Sequence, residues 1–175
     1  MLNLIGQLVY LRALEPSDID FLYALENDTK IWEISGTIAP YSKAVLEMYL
    51  DNAHRDIYEV KQLRLVICDK NDEIKGLVDL FDFDPKNKRV GVGIVVSEEK
   101  DRNKGYGEEA LRLCCSYVLD HLDMHQIYAN IIADNEASIR LFEKLGFEEV
   151  GLKKDWICSN SSFKSEHLYQ KIKGK

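Results

Sequence analysis

The spacing of apolar residues along the chain predicts a mixed order of strands and helices. Short apolar runs rich in β-branched and aromatic residues predict strands, and apolar residues three or four positions apart predict helices. The predicted strands cover residues 7–12, 63–68, 74–83, 89–96, 126–133, 147–157 and 166–172. One predicted helix opens at Pro16, and the others cover 42–58, 107–119 and 135–145. The order β-α-α-β-β-β-α-β-α-β-β therefore predicts an α+β fold (mixed α/β).

Polar and turn-forming residues predict where some of these elements begin and stop. Ser17 and Ser42 suit the N-cap positions of the first two helices, because a serine hydroxyl can accept a hydrogen bond from the first helical turn. The segment 31–41 contains Gly36 and Pro40 and is predicted to be a loop.

Two short turns connect three of the predicted strands. Residues 69–72 and 84–87 consist of turn-forming residue types, and such short connections imply an antiparallel meander. Gly91 and Gly93 lie inside the third of these strands. Glycine at such positions often marks a bulge or the close approach of a ligand to the backbone.

The length and composition predict one folded domain spanning residues 1–175. With 46% hydrophobic residues and three prolines, the chain can form a full hydrophobic core. No apolar stretch approaches the ~20 residues of a membrane helix, and the N-terminus does not resemble a signal peptide. The four cysteines lack metal-ligand spacing and favour a reducing compartment, so a cytoplasmic protein without a membrane partner is expected.

The charge distribution narrows the choice of partner. The net charge of −7 disfavours nucleic acid. Residues 1–60 hold ten acidic and four basic side chains, so most of the imbalance lies in the first third of the chain. Two interpretations of this imbalance are open, namely a solvated helix surface and an acidic approach to a site for a cationic substrate.

The motif Arg102-Asn103-Lys104-Gly105-Tyr106-Gly107 lies between a predicted strand and a predicted helix. Glycines in such a loop let successive backbone N–H groups converge on one point, and the helix adds the positive end of its dipole. Together with the two cationic side chains, this arrangement suits a diphosphate. The spacing does not fit a P-loop and matches the dinucleotide fingerprint only weakly. A surface turn with a helix cap is the other alternative.

The element order, with Arg-x-x-Gly-x-Gly after the fourth strand, resembles the GNAT superfamily of N-acetyltransferases. A second motif, Asn135-Glu136-Ala137-Ser138-Ile139-Arg140-Leu141-Phe142-Glu143-Lys144-Leu145-Gly146-Phe147, is similar to a signature of that superfamily. The opening Leu11-Arg12-Ala13-Leu14-Glu15-Pro16-Ser17-Asp18 resembles the branch containing ribosomal-protein N-terminal acetyltransferases and bacterial spermidine acetyltransferases. The resemblance implies a central, mostly antiparallel, splayed sheet flanked by helices, with a wedge between the fourth and fifth strands.

The resemblance also implies acetyl-CoA as the acetyl donor and a primary amine as the acceptor. The backbone of the fourth strand would pair with the pantetheine arm, as an added strand pairs with a sheet edge. The loop amides would hold the diphosphate, and Asn135 would contact the pantetheine or stabilise the adjacent loop. The cofactor-binding residues implied in this way are Ile94, Val95, Val96, Arg102, Asn103, Lys104, Gly105, Tyr106, Gly107 and Asn135.

The chain departs from the superfamily pattern at two positions that carry chemistry. Many members have a tyrosine acid where this chain has Phe142, which leaves Ser138 as the nearest group able to assist the leaving thiolate. The spermidine branch has a glutamate on the fourth strand at the position that aligns with Gly91, so that acceptor contact is absent from this chain. The predicted base or amine anchor is Asp79. The predicted acceptor-binding residues are Glu33 and Asp82.

These residues predict an N-acetyltransferase that moves an acetyl group directly from acetyl-CoA to a primary amine in a ternary complex. A small cationic, polyamine-like acceptor is preferred because the first third of the chain is acidic. A protein N-terminus is the alternative acceptor. A non-catalytic acyl-CoA-binding module is the alternative of another class. The four histidines lack metal-ligand spacing, so no metal is expected, and a homodimer is compatible with the sequence.

Overall fold

A computed structural model describes residues 4–174 of the chain, and a seven-stranded sheet lies at its centre. The strands are β1 (Val9–Ala13), β2 (Leu63–Asp69), β3 (Ile74–Asp84), β4 (Arg89–Val96), β5 (Gln126–Ile132), β6 (Glu148–Ser159) and β7 (Ser162–Ile172). The helices are α1 (Ile19–Glu26), α2 (Thr29–Ser35), α3 (Lys43–Asp51), α4 (Ile57–Val60), α5 (Tyr106–Ser116) and α6 (Glu136–Lys144). The predicted α+β class is confirmed.

The sheet is antiparallel except at one place, and that exception creates its main opening. The strand order is β1-β2-β3-β4-β5-β7-β6, and only β4 and β5 run parallel. These two strands pair only through residues 89–91 and 126–128. Beyond Gly91 they diverge, which produces the splayed sheet that the resemblance implied.

Both faces of the sheet are covered, which explains why β2 is an almost unbroken apolar run. Leu65 and Ile67 pack in one hydrophobic cluster with residues of α5 and α6. Val66 and Cys68 pack in a second cluster with residues of α1, α2 and α3. Full burial of one aliphatic side chain contributes about 1.5–3 kcal/mol, so alternate residues of β2 fix helices on opposite faces.

The prediction of a loop over 31–41 is wrong in its first part, because α2 extends to Ser35. Asp28 caps this helix by accepting a hydrogen bond from the N–H of Lys30 at 3.0 Å. Gly36 ends it with φ 72°. A helix of this length depends on tertiary packing, and Ile31 supplies it by lying buried in the second cluster.

The helix predicted over 42–58 is interrupted. Ser42 does cap α3, accepting a hydrogen bond from the N–H of Val45 at 3.3 Å. The helix then stops at Asp51, and Asp56 caps α4 by accepting from the N–H of Tyr58 at 2.6 Å. The short side chain of Asp56 offers the backbone a cap that competes with continued helix.

The prediction that Ser17 caps the first helix is wrong. Residues Pro16–Asp18 form a 3₁₀ turn ahead of α1, and the carboxylate of Asp18 accepts a hydrogen bond from the N–H of Glu15 at 2.8 Å. The same carboxylate pairs with both terminal nitrogens of Arg12 at 2.8 Å. Burial acts to raise the pKa of Asp18, but Arg12 and the backbone bond lower it below its usual range.

A buried carboxylate ties the N-terminal segment to α5. Glu109 accepts hydrogen bonds from the N–H groups of Gln7 at 2.9 Å, Leu8 at 2.6 Å and Val9 at 2.8 Å. Burial acts to raise the pKa of Glu109, but the three backbone bonds and the charge of Arg112 lower it below its usual range. The carboxylate is therefore ionised in the folded protein near neutral pH.

No helix within residues 4–174 combines the length and apolar character needed to span a membrane.

All four cysteines are free thiols. Cys158 is exposed, and the other three are buried. Burial raises the pKa of Cys115 to about 12 and the pKa of Cys114 well above its ordinary value, so neither forms a thiolate readily near neutral pH.

Candidate active site

A cavity of about 720 Å³ opens where β4 and β5 separate. Part of its lining comes from β4, α6 and the turn before α6, and includes Ile94, Val95, Asn135, Ser138 and Phe142. Another part comes from α1, α2, α3, β2 and β3, and includes Glu26, Glu33, Tyr49, Arg64 and Asp79. One cavity thus brings together candidates from both halves of the chain.

The edge of β4 that faces this cavity is free to pair with a ligand. On its other side β4 pairs with β3 through residue 96, but its pairing with β5 ends at Gly91. Within the described residues, 92–96 have no strand partner on this edge. Ile94 and Val95 line the cavity and Val96 continues the strand, so the three predicted backbone sites share one open edge.

The glycine loop follows β4 and leads directly into α5. Asn103 and Gly105 both have left-handed backbone conformations, with φ 60° and φ 87°. Helix α5 begins at Tyr106, and the N–H groups of its first turn lack intrahelical acceptors. The alternation of conformations and the helix start place several N–H donors around one region, as an anion-binding nest requires.

Gly107 has a different role from Gly105. It has an ordinary helical conformation, so its conformational freedom is not used. A Cβ atom built there would lie 3.5 Å from Val96 Cγ2 and 3.8 Å from Leu141 Cδ2, which are ordinary contact distances. These distances show that the start of α5 lies against the end of β4 and against α6.

Two cationic side chains flank the nest. Arg102 is exposed, and Lys104 is half-exposed with its Nζ 3.1 Å from Asp101 Oδ1. Asp101 is buried, so Lys104 is attached at one point to the interior beneath the loop. Both predicted cations therefore belong to the loop that contains the nest, and the Lys104 side chain is tied to that loop by Asp101.

The start of α6 brings Asn135 and Ser138 into the cavity. Asn135 Oδ1 accepts a hydrogen bond from the N–H of Ser138 at 3.2 Å, which makes Asn135 the N-cap of α6. Phe142 is one turn further along, buried, and packed edge to face on Phe147 with ring centroids 4.9 Å apart. Of these three side chains, only Asn135 and Ser138 offer polar atoms to the cavity.

Asp79 lines the cavity in close contact with an arginine that the sequence reasoning missed. Arg64 Nε lies 2.5 Å from Asp79 Oδ1, and Arg64 Nη2 lies 3.4 Å from Asp79 Oδ2. Arg64 Nη1 lies 2.5 Å from Glu26 Oε1 on α1. Burial acts to lower the pKa of Arg64, but the charges of Asp79 and its neighbours raise it above its ordinary value. The cluster thus holds two carboxylates around one permanent cation.

The two predicted acceptor-binding residues lie in different places. Glu33 lines the cavity, and its carboxylate accepts a hydrogen bond from Lys164 at 2.9 Å. Hydrogen bonds from Ser159 and Lys164 lower the pKa of Glu33. Asp82 is exposed, does not line the cavity, and accepts a hydrogen bond from Tyr128 at 3.1 Å. The structure therefore does not bring Asp82 together with the other candidates.

The two glycines of β4 differ in their surroundings. A Cβ atom at Gly91 would lie 2.2 Å from the Phe81 ring, so the close approach predicted there is made by a side chain of the protein. A Cβ atom at Gly93 would meet nothing within 4 Å, and Gly93 lines the cavity. Of the two positions, Gly93 is the one that leaves space for a ligand beside the strand.

The described residues 4–174 contain no group of three or more His, Cys, Asp or Glu side chains arranged to hold a metal ion. The groups of the cavity that can take part in chemistry are backbone donors on β4, a hydroxyl on α6 and carboxylates on α1, α2 and β3.

An open strand edge, a nest at a helix start and a cavity lined by carboxylates in a splayed sheet are the arrangement expected of an acyltransferase that uses coenzyme A. The sequence profile of the acetyltransferase (GNAT) domain family matches residues 9–148. The chain belongs to this family and is an acetyl-CoA-dependent N-acetyltransferase. The resemblance stated from the sequence is confirmed.

Relatives with similar sequences and structures include spermidine acetyltransferases. The chain is 28% identical to spermidine N(1)-acetyltransferase of Vibrio cholerae over 81% of this chain and 79% of that protein. It is 29% identical to spermidine N(1)-acetyltransferase of Escherichia coli over 82% and 74%. The crystal structure of the Vibrio cholerae enzyme in complex with CoA and spermine matches with a TM-score of 0.87, at 22% identity over 97% of this chain and 98% of that one.

Proposed function

We propose that the chain transfers the acetyl group of acetyl-CoA directly to a primary amine of a small, polyamine-like cation. The observation that carries this proposal is the charge of the cavity. Among residues 4–174, its lining includes four carboxylates, which belong to Glu26, Glu33, Asp79 and Glu166, and a single cationic side chain, Arg64. An acidic cavity attracts an acceptor that carries several ammonium groups.

Surplus negative charge lies in two ion clusters that include residues of the cavity lining. Glu166 pairs with Lys153. Glu33, in contrast, shares Lys164 with Asp134, so the cluster around Lys164 retains one uncompensated negative charge. Glu26 and Asp79 share Arg64, so their cluster retains one uncompensated negative charge. Because both oxygens of Asp79 face the guanidinium, Asp79 suits the role of amine anchor better than that of general base.

The transfer requires a neutral attacking amine and a stabilised oxyanion. An amine with a pKa near that of lysine, about 10.4, must first lose a proton, which water in the cavity can carry away. A backbone N–H on the open edge of β4 would stabilise the developing oxyanion, an interaction worth about 2.7–4 kcal/mol in other enzymes. The leaving thiolate has a pKa near 8.5, so the hydroxyl of Ser138 is sufficient to assist it.

The acceptor is tested with a panel of amines and a readout of thiol release from acetyl-CoA. Spermidine is expected to be used with a kcat/KM at least about tenfold higher than an alkyl monoamine of the same length, because only spermidine offers further ammonium groups to the carboxylates. Equal use of both amines would contradict the role of the acidic cavity. Turnover of N-terminal peptides but not of spermidine would overturn the preferred acceptor.

The protein N-terminal alternative has a specific observation in its favour. Ile34 and Val45 line the cavity yet are at least half exposed, and Ile38 nearby in sequence is 95% exposed. An apolar rim suits the side chain that follows the amine of a peptide N-terminus.

The non-catalytic alternative is favoured by Phe142, which supplies no acid, and it predicts CoA binding without turnover of any amine in the panel.

Ser138→Ala is expected to lower kcat by about tenfold while changing the KM for acetyl-CoA less, because the lost hydrogen bond forms mainly to the charged leaving group. Steady-state thiol release at varied acetyl-CoA measures both constants. Ser116→Ala is the control, since Ser116 lies on α5 and its hydroxyl bonds the exposed Asp120. An unaltered kcat would show that Ser138 serves only the first turn of α6.

A further inference from the structure

Lys75 is a buried cation on β3 that faces Asp101, the residue immediately before the glycine loop 102–107. Its side chain is 7% exposed. The Nζ atom lies 2.7 Å from Glu73 Oε2, 3.3 Å from Asp69 Oδ2 and 3.6 Å from Asp101 Oδ2. The hydrogen bond to Glu73 and the neighbouring carboxylates raise the pKa of Lys75 above its ordinary value despite burial. It therefore remains charged throughout the physiological pH range.

Lys75 contacts the connection between β4 and α5, residues 97–106, at its beginning, middle and end. Its carbonyl oxygen accepts hydrogen bonds from the N–H of Ser97 at 2.9 Å and from the hydroxyl of Ser97 at 3.2 Å. Its ammonium faces Asp101, and it lies 5.8 Å from the centroid of the Tyr106 ring. One residue of β3 thus supports the segment that joins β4 to α5.

Asp101 connects this buried cation to the surface of the loop. Its side chain is 7% exposed, with one oxygen toward Lys75 and the other 3.1 Å from Lys104 Nζ. Without Lys75, Asp69 would lose its ion-pair partner, Asp101 would keep only Lys104, and the added negative charge beside the loop would repel an anion. With Lys75 present, one of these negative charges is compensated, and Asp101 lies between Lys75 and Lys104.

We propose that Lys75 is a positioning residue for the diphosphate of acetyl-CoA, acting through Asp101 and Lys104 without touching the donor. The inference rests on the assignment of the loop 103–107 to the diphosphate. We expect Lys75 to affect the nucleotide end of the donor and not the pantetheine arm, because its carboxylate and lysine neighbours Asp101 and Lys104 belong to the segment that precedes α5.

Calorimetric titration of Lys75→Met with CoA and with pantetheine, which lacks the diphosphate and the adenosine 3′-phosphate, tests this role without knowledge of the acceptor. CoA binding is expected to weaken about tenfold, while pantetheine binding changes by less than about twofold. Lys100→Met is the matched control, because Lys100 is an exposed lysine of the same connection between β4 and α5 and pairs with Glu98. A mere loss of structure would weaken both ligands equally, and that result would overturn the proposal.

The double variant Lys75→Met with Asp101→Asn covers the case in which the single variant does not fold. Removing the carboxylate of Asp101 together with the lysine restores the charge balance beside Lys104, so CoA affinity is expected to return to within about threefold of the wild type. A double variant that binds CoA as weakly as Lys75→Met would contradict action through Asp101. Wild-type protein that binds no CoA would overturn the loop assignment itself, whereas wild-type binding with unchanged Lys75→Met affinity would overturn only the role of Lys75.

Discussion

Gly105→Val is expected to weaken the binding of CoA by at least about 100-fold, a loss equivalent to two charge-assisted hydrogen bonds. Gly105 has φ 87°, a conformation that a β-branched residue adopts only with strain. A Cβ atom there would also lie 3.1 Å from Leu8 Cδ1, so the loop and the N-terminal segment must move apart. Both effects turn the N–H groups of the nest away from a common point. Calorimetric titration with CoA measures the change.

Two further variants separate the loss of the nest from a general loss of stability. Gly105→Asn keeps a residue type that tolerates the left-handed conformation, so it is expected to retain most of the affinity. Gly174→Val places the same strain at φ 81°, where a Cβ atom meets nothing within 4 Å, and should leave CoA binding unchanged. Unchanged affinity in Gly105→Val would refute the assignment of the loop to the diphosphate.

The parts of the site that were predicted are those encoded in short stretches of sequence. The nest depends on Gly105 and on the helix that follows it, and both signals lie within six residues. Asn135 caps α6 through a contact three residues away. Turn-forming residues between the strands predicted the meander from β2 to β4, because hairpin connections are local. In each case the physical cause and its sequence signal are neighbours in the chain.

The parts that were missed depend on contacts between residues distant in the chain. Arg64 is the one charged residue in the run 63–68, which marks it as unusual, but its partners Glu26 and Asp79 come from other elements. Lys75 pairs with Asp101 across the loop in the same way. Periodicity predicts which face a residue occupies, and it does not predict which side chain from another element lies opposite.

Gly91 shows how a correct local signal can have more than one physical cause. A glycine inside a strand predicts that something approaches the backbone closely, and at Gly91 that neighbour is the ring of Phe81. At Gly93 the same residue type faces the cavity. Only the pairing of β3 with β4, which puts Phe81 opposite Gly91, separates the two cases.

Glu109→Gln is expected to destabilise the protein by about 3 kcal/mol, since an amide cannot accept all three backbone hydrogen bonds that the carboxylate now receives, and each buried donor left without a partner costs about 1–3 kcal/mol. Urea unfolding at neutral pH measures the difference in the free energy of unfolding. Glu108→Gln is the control, because the neighbouring Glu108 pairs with Lys144 at the surface. A difference no larger than that of the control would contradict the anchoring role of Glu109.

The pH dependence of the free energy of unfolding separates the contribution of the ionised Glu109 carboxylate from that of its side-chain packing. The folded protein lowers the pKa of Glu109, so its contribution to stability is fully present above the unfolded value of about 4.3 and is lost as the pH falls through the lower folded value. The gap between wild type and Glu109→Gln should therefore be constant at neutral pH and shrink below about pH 4.3. Because Glu109 holds Leu8, and Leu8 lies against Gly105, the variant is also expected to weaken CoA binding. A gap that does not change with pH would show that packing, and not the ionised carboxylate, holds the N-terminal segment behind the loop.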